Sequence, residues 1–382
     1  MKGVNKENIK KYALNEFLSE YKELNTDNKY RPVAVGRYGI RKRESIYSKE
    51  LAKDYSKNKL IHKDTLTVGM GSKQIDIGIL IEDETFAVSP AYHTYKIQGI
   101  RCKYLEYCLQ SKNIEMFSLY AKRGSRQGKS IDLKRWLTYK IPVYSEEDQI
   151  VIEENLNKIN VVIELRRKQL ELLDELVRAR FVEMFGDPVT NPKDWETTSI
   201  GDECYYIKDG PHKSLPDIGR DNGGYPFISV RNIVNGYIDF SDARYISDED
   251  YYDSIKKCHP EKGDMLYSKG GTTGIAKLID IDEPFANWVH VAVLKFDKSR
   301  LNGVFFESML NSDYCYSQSQ RLTKGIANRD LVLSAMAQIK LYCPPLELQN
   351  QFASFVQEID KSGFIETLPS QLFTLSSHKL SM

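Results

Sequence analysis

A chain of 382 residues, 41% hydrophobic and 28% charged with a formal net charge of +1, has length for two or three domains and ample core. No apolar run reaches the ~18 residues a membrane helix needs, and the polar amino terminus lacks a signal-peptide pattern. Six cysteines without a CxxC pair read as reduced, structural thiols of a cytoplasmic protein, and six scattered histidines offer no metal-ligand spacing.

Residues 5–24, NKENIKKYALNEFLSEYKEL, place Ile9, Tyr12, Ala13, Phe17, Tyr21 and Leu24 on one helical face, predicting an amino-terminal helix within 1–27. The pattern then changes. Arg31–Ile40 and Leu66–Ile97 are β-branched and aromatic stretches broken by glycines, which predicts short strands and tight loops. Tyr104–Tyr120 returns to helical spacing, a basic loop KRGSRQGKS follows, and Tyr139–Pro142 is strand-like. These segments make a first α+β domain over 28–145.

Residues 146–185 contain neither glycine nor proline and predict one helix, roughly 60 Å long at about 1.5 Å per residue. Ile152, Leu156, Ile159, Ile163, Leu170, Leu173, Val177 and Met184 follow the 4-3 spacing of a coiled-coil seam, with Arg166 and Arg180 as packing or partner contacts within it. Glu146, Glu147 and Asp148 suit the positive end of the helix dipole. The run GDPVTNPKDW supplies the stop.

Charge is distributed unevenly. Arg101–Lys140 holds ten basic and three acidic residues, and Asn28–Lys73 twelve and four. A nucleic-acid footprint and a solvated lysine-rich face fit that clustering equally well.

The chain then repeats itself. LIEDETFAV (80–88) matches LIDIDEPFAN (278–287), with Phe86-Ala87 opposite Phe285-Ala286. YLEYCLQS (104–111) matches FFESMLNS (305–312), and KIPVYSEEDQIVI (140–152) matches KLYCPPLELQNQF (340–352). YRPVAVGR can be laid on YPFISVR, with Pro32 opposite Pro226. Four matches in one order at a nearly constant offset predict two copies of one domain, the second over 186–345, each leading into a helix. The carboxyl-terminal helical segment, 346–382, loses its seam at Gly363, and Pro369 interrupts a shorter apolar set, Leu368, Leu372 and Leu375. The amino-terminal helix would lie beside it and complete the partner of the long helix. The predicted fold class is α+β, two similar target-recognition domains separated by long helices in an antiparallel coiled coil.

This order, with the link FVEMFGDP…NPKDW, resembles the specificity subunit of type I restriction-modification systems. Trp195, Ile200-Gly201-Asp202, Ile207-Lys208-Asp209-Gly210, GGYPFISVRNIVNGYI and KGDMLYSKGGTTGIAKL carry the resemblance. It spans essentially the whole chain, and is strongest from Ile141 onward. The resemblance implies a non-catalytic subunit in which each domain reads one half of a split, asymmetric site in double-stranded DNA. It implies helices that set the spacer and dock two methyltransferase subunits, which modify adenine N6, and restriction/translocase subunits that move and cut DNA. S-adenosylmethionine, ATP and magnesium then belong to those partners, and this chain binds no cofactor.

Affinity in such a reader comes largely from phosphate contacts, and discrimination from Arg, Asn, Gln and Lys at base edges. The first-domain candidates are Arg37, Arg41, Lys42, Arg43, Lys73, Gln74, Arg123, Arg126 and Gln127. In the second they are Lys208, His212, Lys213, Arg220, Arg231, Asn232, Lys269, Thr272, Thr273, Lys324, Asn328 and Arg329. They sit in or beside loops, where side chains reach a groove. SKGGTTG lacks the GK[ST] ending of a phosphate loop, and the sequence holds no [ND]PP[YF] motif and no nuclease carboxylate-lysine cluster. The alternatives are the recognition subunit of a two-chain system cutting beside its site, an enzyme with an unrecognised active site, and a coiled-coil scaffold.

Overall fold

The computed structural model describes residues 9–36, 39–43, 46, 54–123, 129–325 and 329–364. They form two compact units, one ending at Arg166 and the other beginning at Arg167. Both are α+β, and their four-stranded sheets share one topology.

In the first unit the principal sheet runs Leu18–Glu20, His93–Ile97, Thr65–Met70, Ile75–Leu80 from edge to edge. In the second the order is Cys204–Asp209, Val291–Phe296, Met265–Ser268, Ala276–Leu278. Each is an antiparallel sheet in which the first strand pairs with the last and a hairpin completes the other side. Three helices cover each sheet, Cys102–Ser111, Asn113–Tyr120 and Leu133–Trp136 in one, Gly303–Leu310, Asp313–Leu322 and Leu333–Met336 in the other. Between them lie apolar cores. Leu66, Val68, Ile75, Tyr104, Leu105 and Trp136 centre the first, and Tyr267, Leu294, Phe305, Phe306 and Met336 the second.

The repeat extends to individual hydrogen bonds. Asn113 accepts from the Ile75 N–H at 2.8 Å and donates to the Ile75 carbonyl at 2.9 Å. Asn311 does the same to Ala276, at 2.9 Å and 2.9 Å. Each asparagine thereby satisfies both backbone groups of one strand residue and stitches a helix junction to the sheet. Gln149 bonds the Arg101 N–H and the Tyr144 carbonyl. Its counterpart Gln349 bonds the Asn302 N–H and the Arg300 and Pro344 carbonyls.

The amino-terminal helix predicted within 5–24 is absent over the described residues. Lys10–Ala13 is a strand antiparallel to Lys140–Val143, Leu14–Glu16 is a 3-10 turn, and Leu18–Glu20 is the sheet edge. The second unit explains why, because Thr197–Ser199 pairs with Lys340–Tyr342 in the same way. The bonds that follow also repeat. Leu14 and Asn15 N–H donate to the Tyr139 and Leu137 carbonyls, as Ile200 and Gly201 donate to those of Ile339 and Ala337. A short isolated helix is marginal in water, and burying Leu14 and Leu18 while pairing a strand overrides the local helical pattern. Lys10–Glu20 therefore belongs with the first domain's strands, and residues 9–24 do not supply the predicted helix; Leu368, Leu372 and Leu375 lie outside the described residues.

The long helix spans Glu146–Phe185, the predicted bounds. Its less exposed positions include Ile152, Leu156, Ile163, Arg166, Leu173, Val177 and Met184, on the predicted seam, whereas Ile159 and Leu170 are 37% and 55% exposed. In the second unit its last turns pack against Leu346–Phe364. Phe181 and Phe185 surround Phe352 at 5.5 Å and 5.6 Å between ring centroids, and the Arg180 guanidinium lies 5.5 Å from the Phe355 ring. As one helix is followed backward the other advances, so the two run antiparallel.

GDPVTNPKDW closes the long helix with specific groups. Gly186 has φ of 83°, and a Cβ there would lie 2.6 Å from Pro192 Cγ. Lys193 donates to the Met184 carbonyl at 2.7 Å, and the Trp195 indole to the Phe185 carbonyl at 2.7 Å. The orphan carbonyls of the last turn thus meet a cation and a ring N–H.

Candidate nucleic-acid interface

In the second unit, the loops at one end of the sheet are tied together. Ser268 N–H bonds the Ile275 carbonyl, closing the loop between the hairpin strands. Lys324 and Asp330 exchange backbone hydrogen bonds at 2.9 Å, and Gly271 N–H reaches the Arg329 carbonyl at 3.0 Å. Lys269 N–H donates to the His290 carbonyl and Leu331 N–H to the Lys269 carbonyl. The predicted SKGGTTG cluster, Lys324 and Arg329 therefore lie on one surface, with the Asp209–Lys213 turn and the Trp288–His290 connection.

That surface has a buried ionic base. The Asp209 carboxylate lies 2.8 Å from Lys257 Nζ, 3.4 Å from Lys269 Nζ and 3.5 Å from His212 Nε2. Burial alone would raise the Asp209 pKa. The hydrogen bond and charge of Lys257, with Lys269 and His212, outweigh it and hold the carboxyl below its ordinary value. Among the described residues, the buried Trp288 Nε1 and His290 Nδ1 have no hydrogen-bond partner.

Eight of the second-domain candidates, Lys208, His212, Lys213, Arg220, Arg231, Thr272, Lys324 and Arg329, are exposed. Lys213 pairs with Asp253 at 2.9 Å and Arg231 with Asp242 at 3.4 Å, both at the surface. Three do not fit the expectation of a side chain free to enter a groove. Asn232 is buried, bonding the Ser229 N–H, the Asp239 carbonyl and Asp242 to close its own turn. Thr273 is buried with its hydroxyl 2.9 Å from that of Thr323. Lys269 is buried between two carboxylates. Polar residues in loops read as exposed in a sequence, but these loops are packed on one another. Asn328 lies outside the described residues.

In the first unit, Arg41, Lys42 and Lys73 are exposed, and Arg43 and Gln74 half-buried. Arg41 and Lys42 end the strand Gly39–Lys42, and Lys73 and Gln74 lie in the tight turn between Met70 and Ile75. Arg123 ends Ala121–Arg123, paired with Lys129–Ile131. Arg37, Arg126 and Gln127 lie outside the described residues. Sequence reasoning missed Asp209, Lys257 and Asp330 as organisers of the second surface. Asp209 stands within the quoted Ile207–Gly210 motif, but its lysine partners, Lys257 and Lys269, are far away in the chain.

Among the described residues there is no cluster of three or more His, Cys, Asp or Glu that could hold a metal ion. Nor does any described helix have the length and apolarity to cross a membrane.

The fold, two similar α+β units with a long helix after the first, has a counterpart among solved structures. The crystal structure of the type I restriction-modification S subunit from M. genitalium superposes over 100% of this chain and 96% of that one, with a TM-score of 0.55 at 15% identity. Residues 192–372 match the family model described as type I restriction modification DNA specificity domain. The type I restriction enzyme MjaIX specificity subunit of Methanocaldococcus jannaschii is 25% identical over 68% of this chain and 63% of its own length. The MjaVIII specificity subunit of the same organism is 24% identical over 60% of this chain and 57% of its own. The chain thus spans less than two thirds of the length of either relative.

Proposed function

We propose that this protein is the DNA sequence-specificity subunit of a type I restriction-modification complex, reading a bipartite, asymmetric site. The observation that carries the reading is the repetition of one scaffold, down to Asn113/Asn311 and Gln149/Gln349, beneath loops that differ in length and side chains. Two unlike readers on one chain suit two unlike half-sites, whereas a symmetric dimer suits a palindrome. Exposed Arg and Lys supply phosphate contacts, and affinity falls as salt rises.

The chain itself performs no chemistry in this reading. It directs two methyltransferase subunits to adenine N6 and restriction/translocase subunits to cleavage, and those partners hold S-adenosylmethionine, ATP and magnesium. The long helix acts as spacer between half-sites and as part of the docking surface. Similarity of residues 192–372 to the specificity-domain family supports the assignment.

The test is a methylome. The chain is expressed with its neighbouring methyltransferase in a host lacking such modification, and N6-methyladenine is mapped by long-read sequencing. A split motif dependent on both chains is expected. A stable complex that leaves no such motif overturns the reading, as does failure of the two chains to associate.

A further inference from the structure

Lys269 differs from the other basic residues of the second surface. Its side chain is 6% exposed, against 71% for His212 and 52% for Lys213. Its ammonium lies 3.4 Å from Asp209 and 3.0 Å from Asp330. Its backbone binds the His290 carbonyl and the Leu331 N–H. One residue therefore joins its own loop to three other segments. Dehydrating an ammonium is costly, and it is offset only when carboxylates are held in place to receive it. Lys257, on Asp209 at 2.8 Å, balances the network at two cations and two carboxylates. An ammonium so enclosed reaches a DNA phosphate only by leaving both partners.

The first unit has a different arrangement. There Met70 pairs with Ile75 around a tight turn in which Gly71 N–H bonds the Gln74 carbonyl, and Lys73 is exposed. With Ile75 and Ala276 aligned by their asparagine contacts, the second hairpin is four residues longer, from Val68–Ile77 to Met265–Leu278. The buried lysine occurs in the longer loop, where a turn alone does not determine the path.

Building on the reading of these units as DNA readers, we propose that Lys269 is a positioning residue for the second half-site. It holds the Ser268–Gly274 loop against the Asp209–Lys213 turn and Asp330, so that exposed Thr272, Lys324 and Arg329 are presented in one arrangement. It contacts no base itself.

The test uses the full chain in complex with its methyltransferase, and duplexes carrying single-base changes in either half-site. Lys269→Met and Asp330→Asn are expected to lower discrimination roughly tenfold or more in one half-site, the scale of a misplaced base-edge contact. Discrimination in the other half-site stays at the wild-type level, and Lys269→Arg restores much of the loss. Asp330→Asn retains the Asp209 partner of Lys269, so it decides the matter if Lys269→Met does not assemble. Wild-type discrimination in both half-sites for Asp330→Asn overturns the proposal, and so does equal loss in both. A wild-type complex that methylates no split site instead removes the underlying reading, before any substitution is made.

Discussion

The two units solve the same problem at their first covering helix with different residues. In the first, Glu153 on the long helix accepts from the Tyr104 N–H at 3.0 Å and from Arg101 Nε and Nη2 at 3.0 Å and 2.9 Å. In the second, Asn302 caps its own helix, accepting from the Val304 and Phe305 N–H groups. Alanine occupies position 353, two hundred residues after Glu153. Arg300 turns instead to Glu203, at 3.0 Å and 2.9 Å. Tertiary demands are thus shared while their solutions drift. The groups that stayed alike, the paired asparagines and glutamines, each satisfy two or three backbone groups at once.

Substitutions should separate the two units. The largest effect is expected for Gln349→Ala, which strands three backbone groups of a fully buried side chain and should cost about 3 kcal/mol. Gln149→Ala, with two such bonds, should cost about 2 kcal/mol; equal losses in chemical denaturation would show that the third bond is idle. Glu153→Ala should cost about 2 kcal/mol, moderated by the partial exposure of Arg101. That loss should appear as faster amide exchange in the first unit only. Asn302→Ala should cost about 1 kcal/mol, the size of a lost helix cap, and exchange should rise only in the second unit.

The smallest effect depends on pH. The Asp209 carboxyl is held below its ordinary value in the folded state. Its ionic contribution is therefore present above the unfolded pKa, about 4, and lost as pH falls through the lower folded value. The melting-temperature gap between wild type and Asp209→Asn should shrink as pH falls below about 4. A gap that instead widened in acid would contradict the pairing with Lys257 and Lys269.

Much of this architecture was legible in the sequence because it rests on periodicity. The forty-residue helix had no breaker, and its bounds, Glu146–Phe185, were visible from composition and charge. The duplication was readable from its offset near two hundred residues. What escaped was whatever depends on a distant partner. Residues 9–24 carry helical spacing, yet become strands because Lys140–Val143 needs a neighbour. Asn232, Lys269 and Thr273 belong to loops and looked exposed, but other loops cover them. Asp330 has no local signature, since its ion pair reaches back to Lys269.

The pairing of Lys10–Ala13 with Lys140–Val143 also bears on how the protein is made. A ribosome releases the opening strand early, while its partner is still unsynthesised. Leu14 and Leu18, buried in the finished unit, remain uncovered through that interval. Contacts of such long sequence separation close slowly, and unpaired apolar edges favour aggregation meanwhile. Within the first unit, the earliest of the described strands is thus among the last to be paired.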